Sequence, residues 1–144
     1  MQQTHTSRSP EGTETIGAAI AARLHGGEVI ELSSDLGGGK TTLVRGLVAA
    51  AGSTDRVASP TFTISKVYEA PRFTIHHFDF YRLPEAGLIR HELEDVLGDP
   101  RIVTIIEWSD IVADVLPKDT IRIHIKTMSE TEREILIIEP ETTH

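Results

Sequence analysis

A chain of 144 residues, 39% hydrophobic and 25% charged, is sized for one packed core. Its formal charge of -8 excludes a surface that holds nucleic acid by itself, because phosphate contacts need clustered cations; an RNA-related role would need partners. The absence of cysteine excludes disulfides, thiolate catalysis and cysteine-ligated metal, and the seven histidines lack the paired spacing of a zinc site.

Residues 1–9 are rich in Gln, Thr and Ser without an apolar period, so they read as a disordered tail ahead of a single domain over 10–144. The polar start carries no hydrophobic signal core, and no run nears the ~18 apolar residues of a membrane span, so a soluble, cytoplasmic protein is expected. From Glu11 to Leu24 the apolar residues Ile16, Ala19, Ile20 and Leu24 recur at helical spacing, and His25-Gly26-Gly27 stops that helix. Glu28 to Ser33 alternates as a strand, Ser34 to Gly39 is a glycine-dense loop, and Lys40 to Ala51 forms a helix closed by Gly52. Two strand-like runs, Phe62 to Glu69 and Phe73 to Phe80, flank Ala70-Pro71-Arg72 and predict an antiparallel hairpin. His76 and His77, being adjacent, point to opposite faces of the second strand.

Leu83 to Leu97 is predicted to be helical in pieces, with a break at Gly98-Asp99-Pro100. Arg101 to Trp108 is an apolar run of strand length, as expected of a strand covered on both faces. Thr120 to Lys126 and Arg133 to Glu139 are the last strands, joined by a turn over Thr127 to Glu132. The sum is an α/β fold with a mixed central sheet, antiparallel hairpins and flanking helices.

Strand, glycine loop and helix in that order suit a phosphate-binding loop, since backbone amides cradle phosphate only where no side chain blocks the approach. Gly37, Gly38 and Gly39 provide that backbone. Lys40 would neutralise the outer phosphates, Thr41 would offer a hydroxyl to a bridging metal, and Thr42 would reach an inner phosphate, as in G-x-x-x-x-G-K-[ST]. Ser34 stands where the pattern's first glycine belongs, at a cost of about 1–2 kcal/mol if the turn needs positive φ. The alternative is a glycine-rich turn that caps a helix and binds nothing.

Hydrolysis also needs a carboxylate near the metal and a group to orient water. Asp79 and Glu107 end strands, and such ends converge beside the ligand in open α/β sheets. Asp79 could instead be a turn-capping residue, and Glu107 an exposed strand end. Ser59-Pro60-Thr61-Phe62 could be a switch-like loop or a plain Ser-Pro turn. Trp108, the single tryptophan, is expected in the core.

Taken together, LSSDLGGGKTTLVRGL, SPTFTI, HFDFYRL and IIEW resemble the TsaE family of small bacterial ATPases, from about Thr13 to Arg133. The resemblance implies a variant P-loop NTPase fold that binds ATP with Mg2+ and hydrolyses it slowly. It implies that Asp35, Leu36, Gly37, Gly38, Gly39, Lys40, Thr41 and Thr42 hold the phosphates, and that Thr41 and Glu107 hold magnesium. Asp79 would be a nucleotide-side acid, with Lys40, Asp79 and Glu107 as the catalytic set. Pro10, Thr13 and Arg133 would complete the nucleotide pocket. It further implies a part in threonylcarbamoyladenosine (t6A) synthesis on tRNA, with TsaB and TsaD as partners, ATP turnover resetting the complex. The sequence departs from the family at Ser34 and has Gly38 where many relatives have alanine. Two other readings stay open: a small-molecule kinase, whose arginine-rich lid could draw only on Arg82, Arg90 and Arg101, and a nucleotide-gated binding module without turnover.

Overall fold

Alternation along each strand decides which residues join which face of the sheet. Ile30 and Leu32 pack on one side with Ile75, Val103, Ile105 and Ile123, while Val29, Phe78 and Ile106 pack on the other with Leu93 and Val112. The computed structural model describes residues 2–35, 39–55, 57, 65–81 and 87–140. In chain order these form β1 (Gln2–Ser7), α1 (Pro10–Ala21), β2 (Val29–Ser34), α2 (Lys40–Ala50), β3 (Ser65–Glu69) and β4 (Thr74–Asp79). There follow α3 (Gly87–Val96), β5 (Ile102–Glu107), a 3-10 helix (Ser109–Val115), β6 (Ile121–Thr127) and β7 (Arg133–Ile138). Among the described residues no helix is long and apolar enough to cross a membrane.

The seven strands form one mixed sheet in the order β1-β7-β6-β2-β5-β4-β3. The four central strands β6, β2, β5 and β4 run parallel, and the flanking pairs β3–β4, β6–β7 and β7–β1 are antiparallel. The expected hairpins and the doubly covered strand β5 are therefore present. Parallel strands share one carboxyl edge, which gathers Ser34, Asp79, Glu107 and Thr127 at the same end of the sheet.

One expectation is overturned. Residues 2–7 are not a disordered tail but the edge strand β1, paired antiparallel with β7 from Gln2 opposite Ile138 to Ser7 opposite Arg133. Its own sequence is polar and mostly exposed, so no apolar alternation announces it; the pairing comes from β7, more than 120 residues away in sequence. β1 then delivers Ser9 as the N-cap of α1, where its side chain accepts from the Gly12 N–H at 3.0 Å.

Helices α1 and α2 pack together on one face of the sheet, and two glycines set their closeness. A Cβ at Gly17 would lie 2.3 Å from the Leu43 carbonyl oxygen, and one at Gly46 would lie 2.1 Å from the Glu14 carbonyl oxygen. Replacing Gly by Ala inside a helix ordinarily gains up to about 1 kcal/mol, but forcing a methyl into this crossing costs about 1–3 kcal/mol and has to push two backbones apart. Gly46→Ala is therefore expected to lower the urea midpoint with an unchanged m-value; an equal or higher midpoint would show that the crossing has room to spare.

Candidate functional site

The site is assembled where α2 begins over the carboxyl edge of β2, β5 and β4. Gly39 stands at the N-cap with φ 89°, a left-handed conformation that glycine alone adopts without strain, and α2 starts with no side-chain cap and no acid in its first turn. The contrast with α1 is direct, since there Ser9 caps and Glu11 occupies the first turn. An uncapped N-terminus leaves N–H groups and the positive end of the helix dipole for an anion to fill.

Beneath that opening lies Glu107, 3% exposed. A buried carboxylate is tolerated only when paired, and this one has two donors. Lys40 Nζ lies 3.2 Å from Oε1, and His77 Nε2 hydrogen-bonds to Oε2. Burial by itself would push the Glu107 carboxyl up, but the His77 hydrogen bond and charge together with Lys40 outweigh it and hold the group below the usual carboxylate range. Asp79 lies directly across from Glu107 in the β4–β5 register and is 9% exposed. Its carboxyl is raised above its ordinary value, first by burial and then by the nearby Glu107 charge, although the Tyr81 N–H and Lys40 pull the other way. The two carboxylates share Lys40 and the buried His77 as their partners of opposite sign.

Most of the sequence-predicted residues are brought together. Lys40, Thr41 and Thr42 form the first turn of α2, from which Lys40 reaches Glu107. Glu107 is buried rather than an exposed strand end. Asp79 does close the turn, since its Oδ1 accepts from the Tyr81 N–H at 2.9 Å, and its carboxyl also feels the charge of Glu107. A cavity of about 400 Å³ adjoins the start of α2 and is lined by Pro10, Thr13, Gly39, Thr42 and Arg133, together with Arg8. Residues at both ends of the sequence thus meet at one hollow, which β1 closes by tying the N-terminal segment to β7.

Within that hollow two residues are already engaged. Thr13 is buried and its hydroxyl pairs with Ser7 Oγ at 2.7 Å, while Arg133 donates to the Ser129 and Glu132 carbonyls at 2.7 and 3.0 Å. They shape the walls of the cavity. Asp35 is likewise turned toward β6, accepting from the Thr127 N–H at 3.3 Å, and its own N–H goes to the Ile125 carbonyl. Leu36, Gly37, Gly38 and Ser59-Pro60-Thr61-Phe62 lie outside the described residues. Ser34 is the last residue of β2 and has no positive φ, so the strain considered for a non-glycine residue there is not incurred.

Trp108 departs from its expected place. It is 45% exposed rather than in the core, and with φ 56° it is the one described non-glycine residue in the left-handed region. That conformation turns the chain sharply after Glu107 and sets the indole 5.0 Å from Lys40 Nζ and 4.8 Å, ring to ring, from Tyr81. No motif in the sequence marks His77 or Arg8 as a site residue, although strand alternation does place His77 on the same face as Asp79.

A parallel sheet centre with antiparallel flanks, a glycine-capped helix after β2 and two acids at neighbouring strand ends define an α/β protein with a mixed seven-stranded sheet. Its fold is similar to that of the crystal structure of Bacillus subtilis YdiB, with a TM-score of 0.79 and 32% identity over 96% of this chain and 86% of that one. Residues 7–135 match the family described as "Threonylcarbamoyl adenosine biosynthesis protein TsaE". Relatives include the tRNA threonylcarbamoyladenosine biosynthesis proteins TsaE of Bacillus subtilis, 37% identical over 88% of this chain and 79% of theirs, and of Treponema pallidum, 36% identical over 91% and 96%. The chain belongs to the TsaE family.

The opposite shifts of the two acids have opposite consequences for stability. Asp79, with its raised value, loses stabilisation as pH rises through its folded pKa, whereas Glu107, with its lowered value, contributes stabilisation that is lost as pH falls through its own. Asp79→Asn keeps an oxygen for the Tyr81 N–H, and is expected to raise the melting temperature of the nucleotide-free protein at pH 7. The gain should vanish below about pH 4, near the ordinary Asp pKa. A lower melting temperature at pH 7 would contradict the like-charge conflict.

Proposed function

We propose that this protein is a slow, partner-dependent ATPase that binds ATP with magnesium at the start of α2. In this reading it serves, with TsaB and TsaD in the cytoplasm, the threonylcarbamoyl modification of the tRNA adenosine next to the anticodon. The observation that carries the nucleotide reading is the uncapped N-terminus of α2 with Lys40 poised over buried Glu107 and Asp79. The family membership carries the tRNA reading, because the relatives named above are tRNA threonylcarbamoyladenosine biosynthesis proteins.

The residues present fit a magnesium ion. Adjacent carboxylates at the sheet edge are the oxygen donors a hard divalent cation takes, and among the described residues no cluster of three or more acids and histidines could hold a metal on its own. That suits magnesium, which keeps most of its waters and takes one or two protein oxygens plus phosphate oxygens. Thr41 and Glu107 would hold it, and bound there it would neutralise charge developing on the outer phosphates. Lys40 would move its charge from Glu107 to those phosphates. Asp79, whose carboxyl is held above its usual range, would accept a hydrogen bond from the attacking water. In this reading the hollow lined by Arg8, Pro10 and Thr13 would take the base and sugar, and its volume is within the range of small-ligand pockets.

The kinase reading is disfavoured by the arginines. Arg90 is paired with Glu94 and Asp114, and Arg101 with Asp99, so neither is held in reserve for a lid; Arg82 lies outside the described residues. The excess of acidic groups fits a subunit that leaves RNA contact to its partners.

Lys40→Ala is expected to abolish ATP binding by calorimetry, and Ser34→Gly, at an unstrained position, to leave it within about twofold. Asp79→Ala and Glu107→Ala should each slow hydrolysis, measured with TsaB and TsaD present, by more than ~10-fold, or roughly 1.4 kcal/mol in the barrier. Wild-type turnover in both variants would remove these acids from the mechanism. Turnover absent from the wild type even with both partners would favour a binding module, and a phosphorylated small molecule formed in stoichiometric yield would favour a kinase.

A further inference from the structure

His77 is 1% exposed, in the interior of β4, and its partner is the carboxylate of Glu107. Among the described residues two buried side-chain polar atoms lack a hydrogen-bond partner, His77 Nδ1 and Thr104 Oγ1. Thr104 shares its sheet face with Ile106, opposite to the face of Ile105 and Glu107, so it does not answer the histidine. Leaving a buried polar atom unpaired is costly, and an apolar residue at position 77 would avoid that cost. What the histidine provides in return is one N–H, delivered from a rigid strand to Oε2 of Glu107.

The two donors on Glu107 differ in kind. Lys40 reaches Oε1 at 3.2 Å from the first residue of α2 on a long side chain, and it is the group that phosphate would draw away. The imidazole is locked by burial, with the Tyr68 ring 6.4 Å from it and β3 and β5 on either side. When Lys40 leaves, Oε1 is released while Oε2 remains held.

We propose that His77 is a positioning residue for the Glu107 carboxylate, fixing Oε2 so that Oε1 alone is presented to the divalent cation that accompanies the nucleotide. This rests on the reading of Glu107 as a metal ligand. Residues that orient a metal-ligating carboxylate in this way typically change metal affinity by about 10–100-fold when removed, without touching the metal.

The test compares side chains that place a donor differently. The amide nitrogen of Gln can occupy the position of imidazole Nε2, whereas that of Asn falls near Nδ1 and cannot reach Oε2. Free Mn2+ is followed by electron paramagnetic resonance in the presence of a non-hydrolysable ATP analogue, and analogue binding in EDTA is measured separately by calorimetry. His77→Asn and His77→Ala are expected to weaken Mn2+ binding by about 10–100-fold and His77→Gln by no more than about threefold, all with metal-free analogue affinity within about twofold. Wild-type Mn2+ affinity in His77→Asn, a His77→Gln no better than His77→Asn, or equal losses with and without metal would overturn the positioning role. Glu107→Gln is the control on the underlying reading: wild-type Mn2+ affinity in that variant would sink the metal assignment itself, and the positioning role with it.

Discussion

The carboxylate of Glu107 is the constraint around which the site is arranged. A nearly enclosed negative charge at the end of an apolar strand is unstable alone, and the structure meets it with a buried histidine on one oxygen and a lysine from a neighbouring helix on the other. That demand is met because β4 lies beside β5 and supplies His77. It also requires α2 to start directly above, where Lys40 can reach. The helix start is aligned with the sheet edge by the close crossing of α1 and α2, in which glycine backbones touch.

The same arrangement works against the stability of the fold. Asp79 opposite Glu107, an uncapped helix N-terminus and a tryptophan in a left-handed conformation each cost free energy in the absence of a ligand. These three features sit within one patch at the carboxyl edge, whereas the core clusters on both faces of the sheet are apolar and closely packed. Concentrating the conflicts where an anion and a cation would relieve them is what a binding site requires. Family membership and this pattern of local conflict point the same way.

Much of this was legible in the sequence because period and punctuation carried it. Apolar alternation located β2, β6 and β7, the continuous run Ile102 to Glu107 marked a doubly covered strand, and glycines framed α2. Glu107 was legible as an acid at the end of that apolar strand. β1 was not legible, since Gln2 to Ser7 has no apolar face and becomes a strand only through its register with β7. Trp108 misled for a related reason: size argues for burial, but its position follows from the turn that β5 must make after Glu107. The partner of Glu107 was available in principle, because His77 and Asp79 alternate onto one face. What sequence alone lacked was the β4–β5 pairing that brings His77 within reach.

The central claim is that Lys40 pairs with Glu107 and leaves it when nucleotide binds. The direct measurement is a crystal structure with magnesium and a non-hydrolysable ATP analogue. The expected result has phosphates at the first turn of α2, Lys40 Nζ moved from Glu107 onto the outer phosphates, and His77 still on Oε2. Nucleotide bound elsewhere, or bound at α2 with the Lys40–Glu107 pair intact, would contradict it.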